Sequence, residues 1–70
     1  MSMAEKIRIV LVKRKISITE LSSSLGTSQS NLSNKLKRDN FNEKELTQIA
    51  EILNCDFKGI FLMRDTGEEI

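Results

Sequence analysis

The chain has 70 residues, of which 39% are hydrophobic and 30% are charged, enough for one domain with one small core. Histidine is absent, and Cys55 is the only cysteine. These two facts exclude an intrachain disulfide, a Cys/His metal site and a Ser-His nucleophile pair. We therefore predict no enzymatic activity, no cofactor and no metal ion.

The charges are distributed unevenly, although the net charge is only +1. Residues 1–40 carry eight Lys and Arg against three Asp and Glu, whereas residues 41–70 carry three against seven. A polyanion is expected to approach the first half of the chain. The longest apolar runs are too short to cross a membrane and the N-terminus lacks the order of a signal peptide, so we expect a cytoplasmic protein.

The first helix is predicted over residues 3–15. Ile7, Val10 and Leu11 recur at the i, i+3, i+4 spacing of a buried helical face. Ile9 and Val12 are expected to broaden that face.

The second helix begins with a capping box, in which Ser17 is the N-cap and Glu20 reaches back to it. Ile16 and Leu21 have the spacing of a hydrophobic staple around this cap. The helix is predicted to continue to Leu25 and to end at Gly26, where the backbone needs a positive φ.

The third helix is predicted from Gln29 to about Lys37, with Ser28 as its N-cap. Leu32 and Leu36, four residues apart, are expected to face the core. The remaining sides carry no large apolar residue and consist of Gln29, Ser30, Ser33, Asn34 and Lys37. Such a face is either simply solvated or presents hydrogen-bonding groups to DNA bases, with the basic cluster that follows directed at phosphates.

The fourth helix begins with a second capping box, Asn42 and Glu45, and a second staple, Phe41 and Leu46. It is predicted to run to about Asn54. Its expected buried residues are Leu46, Ile49, Ala50 and Leu53.

In residues 57–63, both sets of alternating positions contain apolar residues, which predicts a β-strand that is apolar on both faces. The alternative is a short fifth helix over residues 57–62. A strand needs a partner, either residues 68–70 of the same chain or the same strand of a second chain. We favour a homodimer formed by strand pairing, with residues 1–54 as the DNA-binding domain and residues 55–70 as the dimerisation element. The predicted dimer interface consists of Phe57, Ile60, Phe61, Leu62 and Met63.

The central sequence resembles a known family. Residues 17–36, SITELSSSLGTSQSNLSNKL, resemble the helix-turn-helix of the phage Cro/repressor-like (XRE) transcriptional regulators. With residues 37–53, KRDNFNEKELTQIAEIL, the chain is similar to a group of very short Cro-like proteins of Firmicutes. The resemblance covers roughly residues 5–54, with Ser22 where the family usually has alanine.

The resemblance implies a mainly α, lambda-repressor-like four-helix domain that binds double-stranded DNA as a homodimer on a two-fold operator. In that family the third helix enters the major groove. Carried over to this sequence, the base-contacting residues are Gln29, Ser30 and Asn34. The residues that contact the DNA phosphates are Ser17, Ser28, Lys35, Lys37 and Arg38.

A second hypothesis is a protein-interaction module that dimerises through the C-terminal strand; an antitoxin would combine both roles. The charge asymmetry and the basic end of the third helix favour DNA. No small-molecule ligand is evident from the sequence.

Overall fold

The computed structural model describes residues 1–70 and contains four helices. They are α1 (Met3–Arg14), α2 (Ile18–Leu25), α3 (Gln29–Arg38) and α4 (Glu43–Ile52). The predicted number and order of helices are confirmed, and α4 ends two residues earlier than expected. No helix has the length and apolar composition that crossing a bilayer would need.

Side chains cap the beginning of each helix. At α2 the Ser17 hydroxyl accepts from the Glu20 N–H at 3.0 Å, and the Glu20 carboxylate accepts from the Ser17 N–H at 3.3 Å. Asn42 and Glu45 form the same reciprocal pair at α4, with distances of 2.8 and 3.2 Å. Both predicted capping boxes are confirmed, and Ser2 forms a third, unpredicted one at α1.

The turn between α2 and α3 depends on Gly26, which has a φ of 74°. This left-handed conformation lets the Thr27 N–H donate to the Ser22 carbonyl at 3.0 Å, satisfying a carbonyl at the helix end. No atom lies within 4 Å of the position that a Cβ would take at Gly26. The backbone conformation, rather than lack of space, therefore favours glycine here.

All four helices contribute to one hydrophobic core, and α2 packs against both α3 and α4. The core residues are Ala4, Ile7, Leu11, Leu21, Leu32, Leu36, Leu46, Ile49 and Leu53. The prediction that Ile9 and Val12 broaden the buried face of α1 is wrong, because they are 42% and 78% exposed. Each helical residue turns by about 100°, which carries both side chains away from the Ile7–Leu11 row.

The predicted C-terminal strand is also wrong, and no fifth helix forms over residues 57–62. The chain instead turns back around Gly67, and a single antiparallel bridge joins Leu62 to Glu69. Backbone hydrogen bonds also join Phe61 to Ile70 and Met63 to Glu68, but the three residues after the turn are too few for a regular strand or hairpin. A helix would have to include Gly59, which weakens helix formation.

Residues 60–70, which we call the tail, extend away from the helical body beyond Ile60, which still lies at its edge. All of them are exposed, whereas Phe57, just before the tail, packs against the core. The radius of gyration is 13.6 Å, compared with about 11 Å for a compact 70-residue domain. The tail thus extends the molecule, whose dimensions are 43 × 23 × 19 Å.

We predict that Leu32→Ala lowers the free energy of unfolding by about 2–5 kcal/mol, because it removes a side chain from the shared core. Leu32 is only 2% exposed. The matched control is Val12→Ala on the exposed side of α1, for which we expect a loss of less than about 0.5 kcal/mol. Urea unfolding followed by circular dichroism measures both changes, and equal losses would contradict the assignment of the core.

Candidate nucleic-acid interface

The candidate recognition surface is the solvent-facing side of α3. Leu32 and Leu36 are buried and fix the inner side of the helix, so the opposite side is turned to solvent. Its exposed residues, which we call the outer face, are Gln29, Ser30, Asn31, Asn34, Lys37 and Arg38. The sequence pattern includes Ser33, which is half-buried, and misses Asn31.

The electrostatics of α3 differ from those of the other helices. Helices α1, α2 and α4 each have an acidic residue in the first turn, whereas α3 has none there and no acidic residue anywhere along its length. The positive end of its helix dipole is therefore not neutralised by a carboxylate. Lys35, Lys37 and Arg38 lie in the last turn. This distribution of charge suits a polyanion that lies along α3.

Gln29, the first residue of α3, is held in place by α2. The Thr19 hydroxyl donates a hydrogen bond to the Gln29 Oε1 at 2.9 Å. This contact orients the carboxamide and leaves its NH₂ group without a partner in the chain. The sequence pattern does not reveal Thr19, because a contact between residues ten positions apart across a turn leaves no periodic signal.

The side chains of the other two predicted base-contacting residues have no hydrogen-bond partner within the chain. Neither Ser30 nor Asn34 has a side-chain hydrogen bond within the chain, and both are exposed. Their hydroxyl and carboxamide groups therefore remain available to an external partner.

Ser17 and Ser28, predicted to contact phosphates, serve as N-caps of α2 and α3. The Ser17 and Ser28 hydroxyls accept from the backbone N–H groups of Glu20 and Asn31 at 3.0 and 3.1 Å. A hydroxyl that accepts in this way still has its own proton to donate. Capping the helix and binding a phosphate are therefore compatible at both positions.

Lys35 differs from the other predicted phosphate contacts, because its ammonium group is directed at α4. It forms an ion pair with Glu45 and lies 5.7 Å from the centre of the Phe41 ring. Lys37 and Arg38, in contrast, are exposed and have no ion-pair partner. Lys35 thus joins α3 to α4 within the chain, whereas the charged groups of Lys37 and Arg38 are free to bind an external anion.

One further polar contact fixes the position of α3, and another satisfies a buried hydroxyl within α2. The Asp39 carboxylate, just beyond the end of α3, accepts from the Ala4 N–H at 2.7 Å and so attaches that end to α1. Ser22 is buried, and its hydroxyl donates to the Thr19 carbonyl at 2.8 Å. The hydroxyl of this buried serine therefore has a hydrogen-bond partner.

The family model for the Cro/C1-type HTH DNA-binding domain matches residues 6–67. The chain belongs to this family. The predicted resemblance is thus confirmed, and the match extends beyond residue 54 into the tail. No curated protein and no solved structure gives a significant match to the chain.

The Lys35–Glu45 ion pair makes the stability of this domain depend on pH. The Lys35 hydrogen bond, with a further contribution from the Asn42 N–H, holds the pKa of Glu45 below its ordinary value of 4.5. Because the pKa of Glu45 is lower in the folded state than in the unfolded state, the ion pair contributes its full stabilisation at pH values above the unfolded-state pKa. This contribution is lost as the pH falls through the lower, folded-state pKa.

We predict that Lys35→Met raises the pKa of Glu45 towards its ordinary value and costs less than about 1 kcal/mol at neutral pH. The difference in stability from the unmodified protein should disappear in acid. NMR titration of the Glu45 carboxyl carbon and urea unfolding at several pH values measure the two effects. Lys44→Met, a change at an exposed lysine outside the ion pair, is the control. An unchanged Glu45 titration in Lys35→Met would contradict the assignment.

Proposed function

We propose that this protein is a sequence-specific transcriptional regulator that binds a two-fold DNA operator as a homodimer and acts by occupying it. The observation that carries the proposal is the outer face of α3, which is exposed, polar, basic at its end and free of acidic residues. In a member of a DNA-binding family, this is the face with the chemistry for the major groove.

In this proposal Gln29, Ser30 and Asn34 contact the bases. The carboxamides of Gln29 and Asn34 can each donate and accept at once, which matches the N6 and N7 groups of adenine. The Thr19 hydrogen bond supports this role, because a carboxamide already oriented loses less freedom on binding. Ser30 is short and allows the helix to approach the floor of the groove.

The phosphate contacts are assigned to Ser17, Ser28, Lys37 and Arg38. Ser28 lies at the N-terminus of α3, where no carboxylate neutralises the backbone N–H groups, and these groups also favour an anion. Ser17, at the start of α2, offers only the proton of its hydroxyl, because Glu20 occupies the first turn there. Lys35 acts indirectly, by holding α3 against α4 through Glu45.

The small size of the helix-turn-helix domain supports a homodimer. A single small domain reads few base pairs, whereas two copies of α3 about 34 Å apart would reach successive major grooves. The exposed apolar side chains of Ile60, Phe61, Leu62 and Met63 supply the interface. The Phe61 and Met63 N–H groups already donate to carbonyls of the same tail, so we assign the interface to side chains rather than to the strand pairing predicted above.

The alternative function is a protein-interaction module or an antitoxin, and the exposed apolar tail is the observation that favours it. Selection of binding sites from a random double-stranded DNA library separates the two. We expect the selection to yield a two-fold sequence with half-sites about one helical turn apart. Failure to enrich any sequence would reject the regulator and favour the alternative.

We predict that Gln29→Ala weakens binding to the selected duplex by about 1–3 kcal/mol and relaxes the preference at one base pair in each half-site. Thr19→Val should relax the preference at the same base pair, because it releases the Gln29 carboxamide without removing it. Gel shifts with the selected duplex and with single-base variants measure both. A loss that is equal on selected and random DNA would reject the base contact.

We predict that Lys37→Ala weakens binding to all duplexes alike. Affinity should also fall less steeply with salt: the magnitude of the slope of log affinity against log salt concentration should decrease by about 0.9 per half-site, because one phosphate contact is lost. Lys44→Ala is the matched control, since Lys44 is exposed but stands between Glu43 and Glu45. Its slope should match that of the unmodified protein. Equal changes in both variants would indicate a general charge effect and not a contact.

A further inference from the structure

The first four residues of the tail, 60–63, are all apolar, yet they remain exposed in their own chain. Phe61 is 79% exposed, and Leu62 and Ile70 are also exposed by more than half. The tail is held together by one β-bridge and a few backbone hydrogen bonds between residues 61–63 and 67–70, and a two-stranded structure this short is marginal in water. The match to the family reaches residue 67, so most of the tail belongs to the family's domain. These features indicate that a second surface covers it.

A suitable surface lies beside the tail, in an apolar groove between α1 and α4. Its lining includes Ile7 and Val10 of α1, Leu46, Ile49 and Leu53 of α4, and Phe57. The groove has a volume of about 390 Å³. A cavity of roughly 150 Å³ is enough to hold a benzene ring. The α1/α4 groove can therefore accept the ring of a phenylalanine together with a neighbouring side chain.

The margins of the groove and the tail carry opposite charges. Lys6 and Lys58 lie at the groove, with Asp56 as the only acidic residue there. The tail carries Asp65, Glu68 and Glu69 against a single cation, Arg64. A tail that docks in the groove would thus bring acidic side chains to the two lysines.

The tail is poorly placed to enter the groove of its own chain. Ile60 already lines the groove, so the tail leaves directly from its edge. Beyond that point the Phe61 N–H and carbonyl are both bonded to Ile70, at 2.7 and 2.8 Å, which directs the chain into its own turn. Entry would require the backbone to reverse immediately after Ile60, whereas the tail of another copy can approach from outside.

We propose that the α1/α4 groove of one copy receives the tail of a second copy, with Phe61 in the groove and Glu68 and Glu69 beside Lys6 and Lys58. The exchange is reciprocal, so the same pair of contacts occurs twice and a closed two-fold dimer results. None of the residues that line the groove belongs to α2 or α3, so the outer face of α3 stays accessible. This inference rests on the proposed function, because it supplies the dimer that a two-fold operator requires.

Complementary charge reversals test the exchange. The first variant carries Lys6→Glu and Lys58→Glu at the groove, and the second carries Glu68→Lys and Glu69→Lys in the tail. In either variant alone, groove and tail have the same sign of charge, and we expect the dimer dissociation constant to rise by about tenfold or more. In an equimolar mixture each groove meets a tail of opposite charge, so heterodimers should form with nearly the affinity of the unmodified protein.

Sedimentation of each variant and of the mixture measures the dimer dissociation constant, and circular dichroism checks that each variant is folded. Phe61→Ala should raise the constant by about tenfold or more, whereas the control Val12→Ala on the exposed side of α1 should change it less than about twofold. Recovery of dimers on mixing supports the exchange. No recovery on mixing, or an unaffected Phe61→Ala dimer, overturns it.

Gel shifts with the selected operator distinguish a failure of this inference from a failure of the proposed function. If the unmodified protein dimerises and binds the operator, but the mixture of the two charge-reversal variants does not form dimers, only the exchange is overturned. If it dimerises and the mixture recovers but no operator is bound, the exchange stands and the regulator is rejected. If it remains monomeric at high micromolar concentration, the exchange and the two-fold assembly both fail.

Discussion

The packing of α2 against α3 is the constraint on which the rest of the structure depends. Leu21 of α2 and Leu32 of α3 are the two most completely buried large side chains. Because Leu32 and Leu36 must face this core, the opposite side of α3 is obliged to face solvent. The polar face proposed to read DNA is thus a consequence of core packing in a very small domain.

Polar contacts then hold α3 at several points along its length. Thr19 of α2 holds Gln29 at the beginning, Lys35 pairs with Glu45 of α4, and Asp39 beyond the end is bonded to the start of α1. Each contact is modest, but together they attach the helix to all three of its neighbours. A helix fixed in this way presents its side chains with little freedom to lose on binding.

The two halves of the chain have different chemistry, and the structure gives each a separate surface. The basic first half carries the outer face of α3, and the acidic second half ends in an apolar tail that its own body does not cover. An exposed segment of this kind is a liability for a protein that acts alone. In a regulator that binds a two-fold site, the same segment can join two copies while leaving α3 accessible.

The sequence by itself determined the features that depend on neighbours three or four residues away: the capping boxes at Ser17 and Asn42, the left-handed turn at Gly26, and the inward side of α3. Tertiary structure decided contacts between distant residues, which have no period to detect: Thr19 with Gln29 and Ala4 with Asp39, 10 and 35 residues apart. Tertiary structure also decided the conformation of the tail. A segment of alternating apolar residues forms a strand only where a partner strand is available, and the three residues after the turn are too few to provide one.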